Sequence, residues 1–292
     1  MKILYITEGN YPDYQSDMIL HGLRILGHEV VDYPKAWYMY KSLKEKHWNN
    51  LIPNGGKAYG RGFTVSGTFD VDPIGEVDRN NIEDKIKNHY FDIIVYGSSR
   101  RNLIFLEEVK NNYNKDKIIF IDGEDDTDIN WNLLKVGHYF KRELIYENEI
   151  FPIGFCIPKE KIFNGKTEKS LQFAKMRPDR KSTYIYENEE DYYIGYRIAK
   201  FGVTMKKGGW DCMRHYEIMT NKCLPNFINI EACPKNTMTF FPKETCKEIN
   251  QDIRNNTMYD EKYEEYINTI YDYLNKYLTT DKMAKYMLEK IL

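Results

Sequence analysis

The chain's densest chemistry lies at residues 208–217, GGWDCMRHYE, directly after an apolar run. Gly208 and Gly209 allow a tight turn at little steric cost, and Asp211 is a good cap for a following helix. A helix that starts beside a strand's carboxyl end presents free amides and a positive dipole end to anions. Arg214 adds a planar donor fork suited to phosphate, and His215 stands beside it. Glu217, three residues on, shares the helix face of Arg214. Such a set could hold a nucleoside diphosphate, arginine on the phosphates and glutamate on the ribose hydroxyls. Glu231 ends the next apolar run, CLPNFINI, on the same side. An arbitrary pair at this spacing would be a weak surface ion pair, worth roughly 0.3–0.5 kcal/mol.

Carboxylates form two further groups. IDGEDDTD (121–128) places five acids between Asp122 and Asp128. Crowding raises carboxyl pKa values, so Asp122 or Glu124 could accept a proton near neutral pH. The same oxygens could hold a divalent metal, or be a solvated loop capping a helix near 128–135. In TEGNYPDYQSD (7–17), Glu8, Asp13 and Asp17 are candidate general bases, and Asp17 could equally cap a helix. Ser98 and Arg100 in YGSSRR could bind an acceptor, with Tyr11, Trp37, Tyr38 and Arg61 as further contacts. Arg177 and Arg180 in KMRPDRK could reach phosphates, or be wet surface. The six histidines lack an HxxxH spacing, and no GxSxG, P-loop or GxGxxG occurs, which counts against hydrolase, kinase and dehydrogenase chemistry.

These residues need a scaffold. KILYIT reads as a buried strand, SDMILHGLRILGHE as a helix and EVVDYP as a strand, the opening of a doubly wound α/β unit. Residues 35–75 are aromatic, then glycine-rich, and read as an insertion with a hairpin at YGRGFTVSGTFDV. Helix and strand resume in IEDKIKNHYFDIIVYGSS and again in the segment ending KDKIIFID. IFPIGFCIP (150–158) looks like a crossover into a second unit. There the patterns predict a strand at 181–186, a helix over 189–201, a strand at GVTMKK, a helix at 211–221 and a strand at CLPNFINI. Residues 263, 266, 267, 270, 274, 277 and 278 mark an amphipathic helix packed on the body. The expected division is residues 1–150 and 151–292, two Rossmann-like doubly wound domains facing across a cleft.

Bulk properties narrow the class. At 42% apolar and 29% charged, the 292 residues are globular. A formal charge of -2 supplies no overall basic field for nucleic acid or anionic membrane. Five cysteines without CxxC spacing suggest free thiols, and the opening apolar run is too short for a signal peptide or a span. The expectation is a soluble, cytoplasmic protein.

The segment RHYEIMTNKCLPNFINIEACP (214–234) resembles the donor-binding core of GT-B glycosyltransferases, particularly the exostosin-like and group-1-like families. Glu217 matches the family's ribose-binding glutamate and Arg214 an upstream basic residue that meets the diphosphate. Lys222 replaces a glycine, with Asn221 before it able to take a left-handed turn. Gly209 stands where group-1 members often carry another glutamate, so no retaining mechanism is implied. The resemblance implies a UDP- or GDP-sugar donor, no required metal, and an acceptor hydroxyl on a glycan or glycoconjugate. A modified DNA base is a second acceptor. A metal-dependent phosphoesterase on residues 122–128 and a non-catalytic sugar-nucleotide-binding domain are the rival readings.

Overall fold

The computed structural model describes residues 1–9, 11–41, 64–69, 77–146 and 149–291. Arg61 and most of the 35–75 insertion lie outside the described residues. Strands β1 (Lys2–Ile6), β2 (Glu29–Tyr33), β3 (Ile93–Tyr96), β4 (Ile118–Asp122), β5 (His138–Lys141) and β6 (Phe151–Pro152) form one sheet, in the order 2-1-3-4-5-6. All its pairings are parallel. Parallel strands covered on both faces are apolar throughout, and alternate residues here feed two cores. Ile3, Tyr5, Ile93, Val95, Ile119 and Ile121 face one, with helix α1 (Tyr14–Ile25). Leu4, Ile6, Ile94, Tyr96, Ile118 and Phe120 face the other, where α2 (Ile82–Lys87), α3 (Leu106–Asn112) and α4 (Trp131–Val136) pack.

A second parallel sheet contains β7 (Leu171–Phe173), β8 (Ala199–Met205) and β9 (Leu224–Ile228) in that order. Helix α5 (Glu189–Arg197) covers one face, and α6 (Met213–Thr220) joins β8 to β9. Then come α7 (Lys243–Asn255), α8 (Asp260–Tyr273), a π-helical turn (Leu274–Leu278) and α9 (Thr280–Glu289). The molecule is thus an α/β protein of two Rossmann-like units.

Three expectations shift. Residues 181–186 hold a 3-10 turn, Lys181–Thr183, instead of a strand; the Thr183 hydroxyl donates to the Arg180 carbonyl at 2.6 Å and accepts the Arg177 amide at 2.9 Å. The strand is upstream at Leu171–Phe173, where it registers with Ala199–Phe201. The helix expected to reach 201 stops at Arg197, because β8 starts at Ala199. The left-handed residue after α6 is Lys222 itself, φ 52°, with Asn221 at φ -102°.

The chain also crosses the expected division at residue 150. β6 completes the first sheet, and α9 returns to pack on α1. Gly22 makes that packing possible: a Cβ there would run into the Thr280 backbone carbonyl and the Ala284 side chain. One apolar core therefore runs from α1 through α9 to Phe201, Leu224 and Phe227 of the second sheet.

Candidate active site

Strand order reverses between β1 and β3, the topological switch point at whose carboxyl end open α/β sheets bind ligands. Asp13 follows β1 and Ser98 follows β3. There the Ser98 hydroxyl donates to Asp13 Oδ2 at 2.8 Å. Asp13 caps α1 through the Ser16 amide, and Asp17 reaches back to accept the Asp13 amide at 2.9 Å. Asp13 is therefore the cap that Asp17 was expected to be, and Asp17 closes the box in reverse. The Tyr38 hydroxyl takes the other Asp17 oxygen at 2.7 Å. Tyr38 is wholly buried, so its ring is covered by protein instead of offered to an acceptor; Trp37 packs edge-on against it.

Burial pushes the Asp13 carboxyl up, against the pull of Arg101 and Ser98. Asp17 is pushed up further, by burial and then by Asp13. The Asp13 side chain keeps 11% of its surface exposed, and Asp17 is closed off. Arg101 stands between Asp13, at 3.7 Å, and Glu124, at 2.8 Å. Glu8 accepts the amide of exposed Tyr11 at 2.6 Å.

The acidic loop is not a crowd of like charges. Asp122 and Lys141 are register partners on β4 and β5, both wholly buried, with Nζ 2.9 Å from Oδ1. Asp122 also accepts from the Tyr139 hydroxyl at 2.5 Å and the Glu124 amide at 3.1 Å. Arg100 lies 3.4 Å from both Asp122 and Asp126, and Arg142 pairs with Asp125. Burial raises Asp126, yet Lys141, the Asp128 amide and Arg100 outweigh it and hold that carboxyl below its ordinary value. The expected mutual raising is reversed at Asp126 because basic side chains interleave the acids. Nor does the loop cap α4, which starts on the Asn130 side chain. Among the described residues, no three His, Cys, Asp or Glu side chains are grouped to hold a metal.

At the second sheet, the start of α6 is built differently from its expected form. Cys212 occupies the cap position, while Asp211 accepts from the Phe155 amide at 2.8 Å and the Tyr216 hydroxyl at 3.0 Å. The Trp210 and Asp211 amides donate to the buried Glu143 carboxylate at 2.9 and 3.0 Å. Neither glycine of the 208–209 pair is left-handed. What marks the pair is close approach: a Cβ at Gly209 would meet the buried Glu143 and Arg142, and one at Gly208 would meet the exposed Asp125 side chain. Arg142 is the seam between the units: it donates to the Gly123 carbonyl at 2.8 and 3.0 Å and to the Asp211 carbonyl.

Arg214 is buried in the first turn of α6. Nε donates to Thr204 Oγ1, and Nη2 to the Met205 carbonyl, each at 3.1 Å. His215 is wholly buried with both ring nitrogens engaged, so it does not reach a ligand. Burial and then Arg214 push it down to about 4, and it is neutral. Glu217 is buried too, its oxygens taken by the hydroxyls of Thr64 at 2.5 Å and Tyr192 at 2.7 Å. Burial pushes its carboxyl up.

What is open at this end is a crevice of about 390 Å³ at the carboxyl ends of β8 and β9. It is lined by Met205, Lys206, Trp210, Ile228, Asn229, Glu231 and Ala232. Lys206 lies over the Trp210 ring at 5.4 Å. Next along the chain from Lys206, Lys207 donates to the Pro178 carbonyl of the 175–181 loop at 2.7 Å. Arg177 is clamped on Asp179, at 3.0–3.1 Å, and Arg180 is exposed.

The structure thus brings Asp13, Ser98 and Glu124 together at one carboxyl edge, and Arg214, Glu231 and the 208–211 loop at the other. Thr204, Lys206, Trp210, Lys141, Arg142 and Glu143 escape sequence reasoning. The available signal is position: Lys141 ends β5 and 142–143 directly follow it, as 206–210 follow β8.

No protein-family model matches the chain, and no curated protein matches it in sequence. Among solved structures it is similar to Acinetobacter baumannii MurG, at 9% identity and TM-score 0.41, over 99% of each chain. A likeness at that level of identity and overlap says nothing about the chemistry of the site. No described helix is long and apolar enough to cross a membrane.

Proposed function

We propose that the protein is a glycosyltransferase moving a sugar from a nucleotide-sugar donor to an acceptor hydroxyl. One observation carries this reading: the carboxyl ends of two parallel sheets meet at a shared seam. Asp13 stands on the first, the Trp210 crevice opens on the second, and Arg142 ties the Gly123 and Asp211 carbonyls between them.

In this reading the base lies against Trp210, the ribose meets Glu231, and the diphosphate lies over the start of α6. Arg214, seated beneath Met205, offsets the charge that grows on the leaving diphosphate, an effect worth about 2.7–4 kcal/mol per well-placed donor. The acceptor enters at the switch point, near Tyr11, Ser98 and Arg100. Asp13 takes the acceptor proton, the acceptor oxygen bonds to the anomeric carbon, and the bond to the diphosphate oxygen breaks. Asp13 is favoured over Asp17 because it is the more exposed of the two. Its raised pKa suits a proton acceptor better than an ordinary carboxylate. Acceptors in this reading are glycans or glycoconjugates, and the donor a UDP- or GDP-sugar.

The test is release of nucleoside diphosphate from a panel of sugar nucleotides with glycan acceptors. Asp13→Asn should lower turnover by about 10²–10⁴-fold, the usual contribution of a general base, with nucleotide affinity unchanged. Full turnover in that variant would remove Asp13 from the chemistry.

A further inference from the structure

We propose that Thr204 and His215, which touch no ligand themselves, are the positioning residues that aim Arg214 at the donor phosphates. This rests on the donor reading above. The Trp210 carbonyl can only accept, so His215 Nε2, 2.8 Å away, carries the ring proton. Nδ1 is then an acceptor, and the Thr204 hydroxyl 2.7 Å away must donate to it. That leaves the lone pairs of Thr204 Oγ1 for Arg214 Nε–H at 3.1 Å. The protons then run from Arg214 to Thr204, from Thr204 to His215, and from His215 to the loop preceding α6, with Cys212 Sγ beside the ring at 3.4 Å from Nε2 and 3.7 Å from Nδ1.

Burial makes this order rigid. Thr204 and His215 are wholly enclosed, and the imidazole lies 4.4 Å from the Phe227 ring and 5.6 Å from Phe241. A buried polar chain with every member satisfied holds one arrangement, since any flip leaves a group unpaired. The relay also joins two parts of the donor site. Its far end fixes the Trp210 carbonyl, and Trp210 lines the crevice. Its near end fixes the guanidinium, whose Nη2 lies on the carbonyl of Met205, another crevice residue.

The experiment is calorimetric titration of the full chain with UDP and GDP, and with uridine and guanosine, which lack the phosphates. The relay acts through Arg214, so it should affect only the diphosphate's advantage over its nucleoside. Thr204→Val keeps the shape and removes the hydroxyl. It should reduce that advantage about tenfold, the scale of one charge-assisted hydrogen bond. Thr204→Ser should restore it, which loss of packing alone would not produce. Arg214→Ala should abolish the advantage. If Arg214→Ala abolishes it and Thr204→Val leaves it intact, the relay is overturned and the donor reading survives. If the wild-type protein binds diphosphate no better than nucleoside, the donor reading fails, and the relay fails with it.

Discussion

At the scale of single residues, the carboxylates divide by what surrounds them. Asp122 and Asp126 are acids among cations, Asp17 is an acid between a hydroxyl and an amide, and Asp13 has Arg101 at 3.7 Å beside its hydroxyl and amide partners. The sequence shows where the acids are but not who faces them, because Lys141 meets Asp122 only through β4–β5 register. Asp17 gives a pH prediction. Its folded-state pKa is raised, so its contribution to stability is full below the unfolded value near 4 and is lost as pH rises through the folded value. At neutral pH, above the unfolded value, part of that contribution has been lost. Asp17→Asn should then raise Tm at pH 7, by roughly 2–4 °C per kcal/mol relieved. That gain should shrink on acidification; an advantage independent of pH would show that the charge is not its source. For Asp13 the raised value moves the acid limb of the rate profile above that of an ordinary aspartate, so activity falls off earlier as pH drops.

At the scale of elements, strands and helices are legible where periodicity is long. β1, α1, β2, β3, β4, α6 and β9 lie where the apolar patterns put them. β7 is three residues long and only partly covered, too short to show a period, and so it does not stand out in the sequence. The glycine pair reads as special, but for turning instead of for close approach, which depends on Asp125 and Glu143 from distant sequence. The two glycines should therefore respond differently to alanine. Asp125 is exposed and can swing aside, so Gly208→Ala should be nearly neutral. Glu143 and Arg142 are buried, so Gly209→Ala should cost about 1–3 kcal/mol, as overpacking does, read by urea unfolding. Equal costs would contradict the close-approach account. At the same seam, Arg142→Ala strands the buried Glu143 carboxylate and should cost about 3–5 kcal/mol; a loss under about 1 kcal/mol would show that the seam is not held this way.

At the scale of the whole molecule, the two-unit α/β architecture is legible from the alternation of strand and helix. The shared core is not. No local pattern announces that α9 returns across the chain to α1, or that Gly22 exists to admit it. Nor could spacing reveal that Thr64, beyond the first sheet's opening strands, would occupy Glu217. The central claim at this scale is that the carboxyl ends of β8 and β9 hold a nucleotide. The most direct measurement is thermal unfolding with UDP, GDP, CMP and their sugar conjugates, comparing wild type with Trp210→Ala and Arg214→Ala. A ligand at about 100 times its dissociation constant adds roughly 2.7 kcal/mol, a rise of several degrees in a chain of this size. The account predicts such a rise with a uridine or guanosine diphosphate, lost in both variants. No rise with any nucleotide, or one that both variants keep, would contradict it.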